Sequence, residues 1–156
     1  MRFIKTALML LLLLVLCALA DAVPACAEVA VVNVAEVIDS SAPGKAGQKY
    51  VNNLKNALEG ELKRFSEKNA KAKDGQQKIA RKQTELNGEY QREYNRVRAL
   101  VMTALRNSVQ DWLKSNKKGV TAVIPVNTAL GYAKESDISK EILLRLNAVK
   151  IDFTKK

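Results

Sequence analysis

The chain has 156 residues, with 26 Lys and Arg against 16 Asp and Glu, a formal net charge of +10 and no histidine. That length admits one domain, two at most, and the lack of histidine removes the commonest general base and the commonest metal ligand together. Both cysteines, Cys17 and Cys26, fall in the first 26 residues, so the rest of the chain has no Cys/His metal site, thiol nucleophile or disulfide, and seven Gly and three Pro are too few for a turn-rich all-β protein.

The N-terminal segment reads as an export signal. Arg2 and Lys5 precede an unbroken apolar run of 13 residues, Ala7 to Leu19. That run is too short for a comfortable membrane span and suits a signal-peptide core. Small-x-small sites end at Ala20 and at Ala27. Cleavage is expected after Ala27, following the polar stretch that holds Pro24, and leaves a chain of 129 residues from Glu28. A lipidated Cys17 or Cys26 is the rival reading, with bulky Leu16 before the first and Pro24 near the second.

Three blocks follow. Val29 to Val34 is short and β-branched and predicts a buried strand. Val34 to Ile38 has room for a helical turn, and Ser40 or Ser41 with Pro43 makes a helix start. From about Gly44 to Lys117 there is no proline, and helix formers dominate. Val51, Leu54, Leu58, Leu62 and Phe65 step by three or four, and Ile79, Leu86, Tyr90, Val97, Val101, Leu105 and Trp112 mostly by four or seven. These are narrow seams of the kind that pairs helices. Ser66 to Lys78 has no large apolar residue and contains Asp74-Gly75, where the chain is expected to reverse. Gly60 and Gly88 would then face each other across an antiparallel pair.

The third block begins at Gly119. Val120 to Val126 predicts a second strand, with Pro125 marking an edge or an end. Asn127-Thr128 turns the chain, and Ala129 to Ala133 is expected to return as a hairpin strand. Asp137 or Ser139 opens a last helix with the stripe Ile138, Ile142, Leu146 and Val149, and Thr154-Lys155-Lys156 forms a loose tail. The fold expected is α+β, mainly α: a long antiparallel helical hairpin, a coiled-coil tentacle, on a small β body. The organisation is 1–27 signal, 44–117 arm, and 28–43 with 118–156 as the body. Without the arm only 55 residues of the exported chain remain. A foot of that size, lacking disulfide and metal, is marginal alone, so oligomerisation is expected to complete it, with strands paired between subunits. Val29, Val31, Val32, Val34, Val123, Ile124, Val126, Leu130, Tyr132, Ile142 and Leu146 are the candidates for that body.

Charge is concentrated on the arm. Residues 44–118 hold 18 Lys and Arg against 8 Asp and Glu, while the rest of the exported chain holds 6 against 7. The extreme lies between Lys63 and Lys82, where Lys63, Arg64, Lys68, Lys71, Lys73, Lys78, Arg81 and Lys82 meet only Glu67 and Asp74. Helix charge is usually a balanced, solvated face; this one is unbalanced and attracts polyanions. Export and the lack of interleaved aromatics at the tip argue against nucleic acid. No catalytic constellation, metal set or cofactor motif is found. Pro43-Gly44-Lys45-Ala46-Gly47 lacks the first Gly and the Gly-Lys-Ser/Thr ending of a phosphate loop. Glu85, Glu89 and Glu93 read as a solvated stripe rather than a ligand row, and Tyr94 and Trp112 as packing residues near the arm's base.

The pattern resembles the Skp/OmpH family of periplasmic chaperones. The residues that carry the resemblance are Val29 to Ser41, the basic hairpin, Val123 to Ala133, and Asp137 to Asn147. The resemblance implies a homotrimer in which three hairpins hang from a shared β-barrel around a cavity. It implies that unfolded outer-membrane proteins are held there without ATP. The basic tip residues are then the expected client-binding set, capturing acidic clients through many weak, salt-screened contacts. A structural envelope protein that binds anionic lipid or polysaccharide, including lipopolysaccharide, through the same tip is the competing expectation.

Overall fold

A computed structural model describes residues 28–155; the apolar leader, the Ala27 cleavage site and both cysteines lie outside the described residues. The described chain is mainly helical with one small parallel sheet. Strand β1 (Glu28–Val32) leads into helix α1 (Val34–Ser40), and α2 (Ala42–Asn69) and α3 (Gly75–Ser115) follow. Strand β2 (Val120–Pro125), two single 3-10 turns and helix α4 (Ser139–Asn147) complete the order.

β1 and β2 pair in parallel, with Ala30 opposite Val123 and Val31 opposite Ile124. A parallel pair needs a crossover, and here the crossover is α1, α2 and α3 together. The outer edge of β1 is partly covered, since the Ile138 N–H donates to the Val31 carbonyl at 3.0 Å. Just beyond it, Asn33 N–H donates to Ser139 Oγ at 2.8 Å, and that hydroxyl donates to Asp137 Oδ1 at 2.6 Å. This network leaves the buried Ser139 satisfied and seats α4 against the strand.

The corner between α1 and α2 is made by Ser41. Its hydroxyl donates to the Ile38 carbonyl and accepts from the Gly44 N–H at 3.0 Å, which caps α2. Pro43 follows in the first turn, where its missing N–H costs nothing. A Cβ on Gly44 would overlap the Ile38 carbonyl oxygen and lie 2.9 Å from the Ser41 Oγ. Gly44→Ala is therefore expected to cost about 1–3 kcal/mol, read as a lower urea midpoint at unchanged slope. At the other end of the pair, α3 stops at Ser115 and Asn116 stitches it to β2. The Asn116 side chain donates to the carbonyls of Leu113 and Val120 and accepts from the Val120 N–H at 3.1 Å. Gly119, at φ +74°, makes the turn between them.

α2 and α3 lie side by side in opposite directions. Lys82 Nζ reaches Glu61 at 2.8 Å, and the Tyr50 hydroxyl donates to Glu93 at 3.3 Å. A turn over 70–74 joins them: Ala72 N–H donates to the Asn69 carbonyl and Gly75 N–H to that of Ala72. The turn is centred a few residues before Asp74-Gly75 and ends at Asp74, and Gly75 begins α3. The register that joins those two pairs puts Gly88 opposite Lys55 rather than opposite Gly60, because the turn is centred earlier than the sequence suggests.

The main core joins Ala30 and Val32 of β1, Val37 of α1, Ala104, Leu105 and Trp112 of α3, and Ile138, Ile142 and Leu146 around α4. The last third of α3 therefore packs into the same core as β1, α1 and α4. The same apolar seam continues unbroken along α3, so periodicity gives no sign of where it passes from one partner to another. A second, smaller core of Val51, Val97, Val101 and Phe153 sits where α2 and α3 meet the body.

One further expectation is overturned. Ala129 to Ala133 does not form a strand. Val126–Thr128 is a 3-10 turn, Thr128 Oγ bonding the Pro125 carbonyl at 2.7 Å, and Leu130 and Tyr132 project beyond it into solvent. Just before the tail expected to be loose, the chain is anchored. Phe153 is buried, and Arg96 donates to the carbonyls of Phe153 and Lys155.

Candidate functional site

The concentration of positive charge lies at the end of the helix pair away from the body. From Val51, in the second core, to Asn69 is about 27 Å of helix at 1.5 Å per residue. Lys63, Arg64 and Lys68 are on α2, Lys71 and Lys73 in the turn, and Lys78, Arg81 and Lys82 on α3. All are exposed except half-buried Lys82. Lys78 pairs with Asp74 at 3.0 Å, and Lys82 with Glu61 and Glu85 at 2.8 and 3.0 Å. The Lys78 hydrogen bond holds the Asp74 carboxyl below its usual range, and the hydrogen bonds to Glu61 and Glu85 raise the Lys82 ammonium above its own. The other six, Lys63, Arg64, Lys68, Lys71, Lys73 and Arg81, have no salt bridge among the described residues.

Beneath these cations the apolar seam is poorly covered. Val51, Leu86, Val97 and Val101 are buried, but Leu54, Leu58, Leu62, Phe65, Ile79 and Tyr90 are only half-buried. Burial therefore fades from the body towards the turn. Two helices cannot enclose a seam by themselves where no third element packs on it. A shallow groove lined by Leu58, Leu62, Leu86 and Tyr90 runs between them, with Lys55 and Glu59 at its lip.

Two of the three carboxylates in the row on α3 are held by neighbours. Glu85 holds Lys82, and Glu93 accepts from Tyr50 and is paired with Arg96 at 2.8 Å, which raises the Arg96 guanidinium further. No group of three or more His, Cys, Asp or Glu able to hold a metal occurs among the described residues. A second groove, of about 670 Å³, opens at the joint with the body between α1, α2 and α3. Val34, Ile38, Val51, Val97 and Val126 line it, and half-exposed Tyr94 stands at its edge.

The candidate body residues divide into two groups. Val31, Val32, Ile142 and Leu146 are buried inside one chain and serve its own core. Val34, Val123, Ile124 and Val126 are half-buried. Val29, Leu130 and Tyr132 are exposed, Leu130 completely. Leu144, 73% exposed on α4, joins this outward set and was not singled out by the helix stripe. Phe153 and Arg96 were missed as well. Phe153 is one aromatic in a charged tail with no periodicity around it, and Arg96 reads in sequence as one more charge.

No family model, curated protein or solved structure matches the chain.

Proposed function

We propose that this chain is an exported, ATP-independent holdase that keeps unfolded outer-membrane proteins apart in a space bounded by basic helical arms. Several chains share one base, three being the number the family resemblance implies. The observation that carries the reading is the set of six cations at the far end of the helix pair that have no ion-pair partner among the described residues. A helix pair that served only as a rigid spacer would gain solubility and stability from balanced pairing. Unpaired charge of one sign instead repels itself and becomes useful when an anionic partner arrives.

In this reading α2 and α3 form the hairpin arm. The cations draw in an acidic client from about a Debye length, 8 Å at physiological salt. The half-buried seam from Leu54 to Phe65 then offers apolar strands of the client several weak contacts. Many weak contacts give useful holding with fast individual release, so no nucleotide step is needed. The shared base uses what one chain leaves outside its core, namely Val29, Leu130 and Tyr132, together with the outer edge of β2. Among the described residues β2 pairs with β1 alone, and an open edge next to exposed apolar side chains favours pairing with another chain.

Sedimentation of the chain from Glu28 onward, with light scattering of an unfolded β-barrel client diluted from urea, tests the reading. The expected result is an assembly of several protomers at micromolar concentration that suppresses client aggregation without nucleotide. A stable solitary protomer overturns the shared base. A chain that binds anionic vesicles but leaves the client to aggregate overturns the holdase and favours an envelope tether.

A further inference from the structure

We propose that the C-terminal segment 149–155 is a strap that fixes the angle of the helix pair against the body, and that its release frees the pair to swing. The two apolar cores are the starting point. The main core is built around α4, and the second contains only Val51, Val97, Val101 and Phe153 as buried residues. Three of those four belong to α2 and α3. Phe153 is the fourth, and it arrives from the chain beyond α4. Among the described residues only Ile38 and Ile151 pack against both cores, one from the α1 corner and one from the strap. The helix pair thus carries its own small core; α3 runs on unbroken into the body core through Ala104, Leu105 and Trp112, and beside that helix the two cores are bridged by two isoleucines, one of which the strap supplies, so the freedom in question is a bend or rotation about α3.

The strap is held by side chains on both helices. The Phe153 ring lies 6.0 Å from the Tyr50 ring, centre to centre, and reaches the backbone of α2 at Gly47. A Cβ on Gly47 would stand 3.3 Å from the tip of that ring and 3.0 Å from Val97 Cγ1. Close approach of α2, α3 and the strap therefore depends on the glycine. Arg96 on α3 closes the clasp, its guanidinium donating to the Phe153 carbonyl and, at 2.9 Å, to that of Lys155. Glu93 orients the same guanidinium through two hydrogen bonds of 3.0 and 2.8 Å. An arginine committed to two main-chain carbonyls of an otherwise irregular segment makes a clasp with a defined open state: if the segment leaves, Arg96 keeps Glu93 and loses nothing else. The joint groove passes the same Gly47, Val51, Val97 and Val101, so there is unfilled space beside the pivot into which the helices can move.

The proposal concerns the freedom of the helix pair and stands whether or not the pair holds clients. It is tested by distance measurement between spin labels at Lys73→Cys in the turn and Lys140→Cys on α4. The full chain is used with Cys17 and Cys26 replaced by serine, and labelled chain is diluted into unlabelled chain. Backbone hydrogen exchange is followed in the same proteins. Phe153→Ala and Arg96→Gln are each expected to at least double the width of the distance distribution. Each should also speed exchange at Val97 and Val101 about tenfold while Ile142 and Leu146 keep their protection; Phe153→Leu should restore most of both. An unchanged distance distribution overturns the strap. Equal loss of protection at Ile142 and Leu146 also overturns it, because Phe153 would then be an ordinary part of one continuous core.

Discussion

If the helix pair holds clients as proposed, reversing charge at four positions of its far end, Lys63→Glu, Lys68→Glu, Lys71→Glu and Lys73→Glu together, is expected to abolish client capture while leaving the fold in place. The four side chains are exposed and have no salt bridge among the described residues, so no native pair is broken. Glu and Lys have nearly the same helix propensity, and Lys71 and Lys73 lie in the turn. The change takes residues 63–82 from a net +6 to −2. Each exposed pairing with an acidic client is worth up to about 1 kcal/mol, and reversal turns attraction into repulsion. A combined loss of about 2–4 kcal/mol corresponds to roughly 30- to 1,000-fold weaker holding. Far-ultraviolet circular dichroism should be unchanged, and fluorescence anisotropy of a labelled unfolded client reads the affinity. Two comparisons separate electrostatics from contact. The four Lys→Gln changes should give an intermediate loss. Raising salt to 1 M, where the screening length is about 3 Å, should weaken the parent towards the Gln variant and leave the Glu variant little altered or slightly improved. A parent whose capture ignores salt, or a Glu variant that holds client like the parent, removes the role assigned to the tip.

The parts of the molecule legible from the sequence are those with a period. β1 is a run of β-branched residues, the seams of α2 and α3 step by three and four, and α4 shows Ile138, Ile142 and Leu146 on one stripe, all three buried. The helix start before Pro43 was legible as Ser40 or Ser41, and Ser41 is the residue that caps it. What the sequence hid depends on a partner elsewhere in the chain. Ala129 to Ala133 has the composition of a strand, but the Thr128–Pro125 hydrogen bond turns the backbone aside before it can return along the outer edge of β2. The packing of the last third of α3 against α4 was hidden for the opposite reason: the seam that faces α2 near Val97 also supplies Leu105 and Trp112 to the core around α4. Charge, which has no period, was legible in amount and position along the chain. Which cations are paired was not, since Lys82 meets Glu61 only across the helix pair.

α4 supplies a sharp contrast in the value of a leucine. Leu146 is fully buried, and Leu144, two residues earlier, is 73% exposed. Leu146→Ala is expected to cost about 2–5 kcal/mol through lost transfer energy and the cavity left behind, a large part of the roughly 5–15 kcal/mol that holds a domain together. It should shift the denaturation midpoint strongly and expose the Trp112 indole, which lies in the same core, to quenchers. Leu144→Ala in an isolated chain should stay within about 0.5 kcal/mol, like other surface changes. The pair therefore reports on assembly as well as on the core. If chains share a base through their outward apolar residues, Leu130→Ala and Leu144→Ala lower stability in proportion to how much of each the assembly covers. That loss then depends on protein concentration, because association is linked to folding. Leu146→Ala should destabilise by the same amount at every concentration once association is accounted for. Loss at Leu130 and Leu144 that is absent at all concentrations places both outside any interface, and the shared base must then rest on Val29, Tyr132 and the open edge of β2 alone.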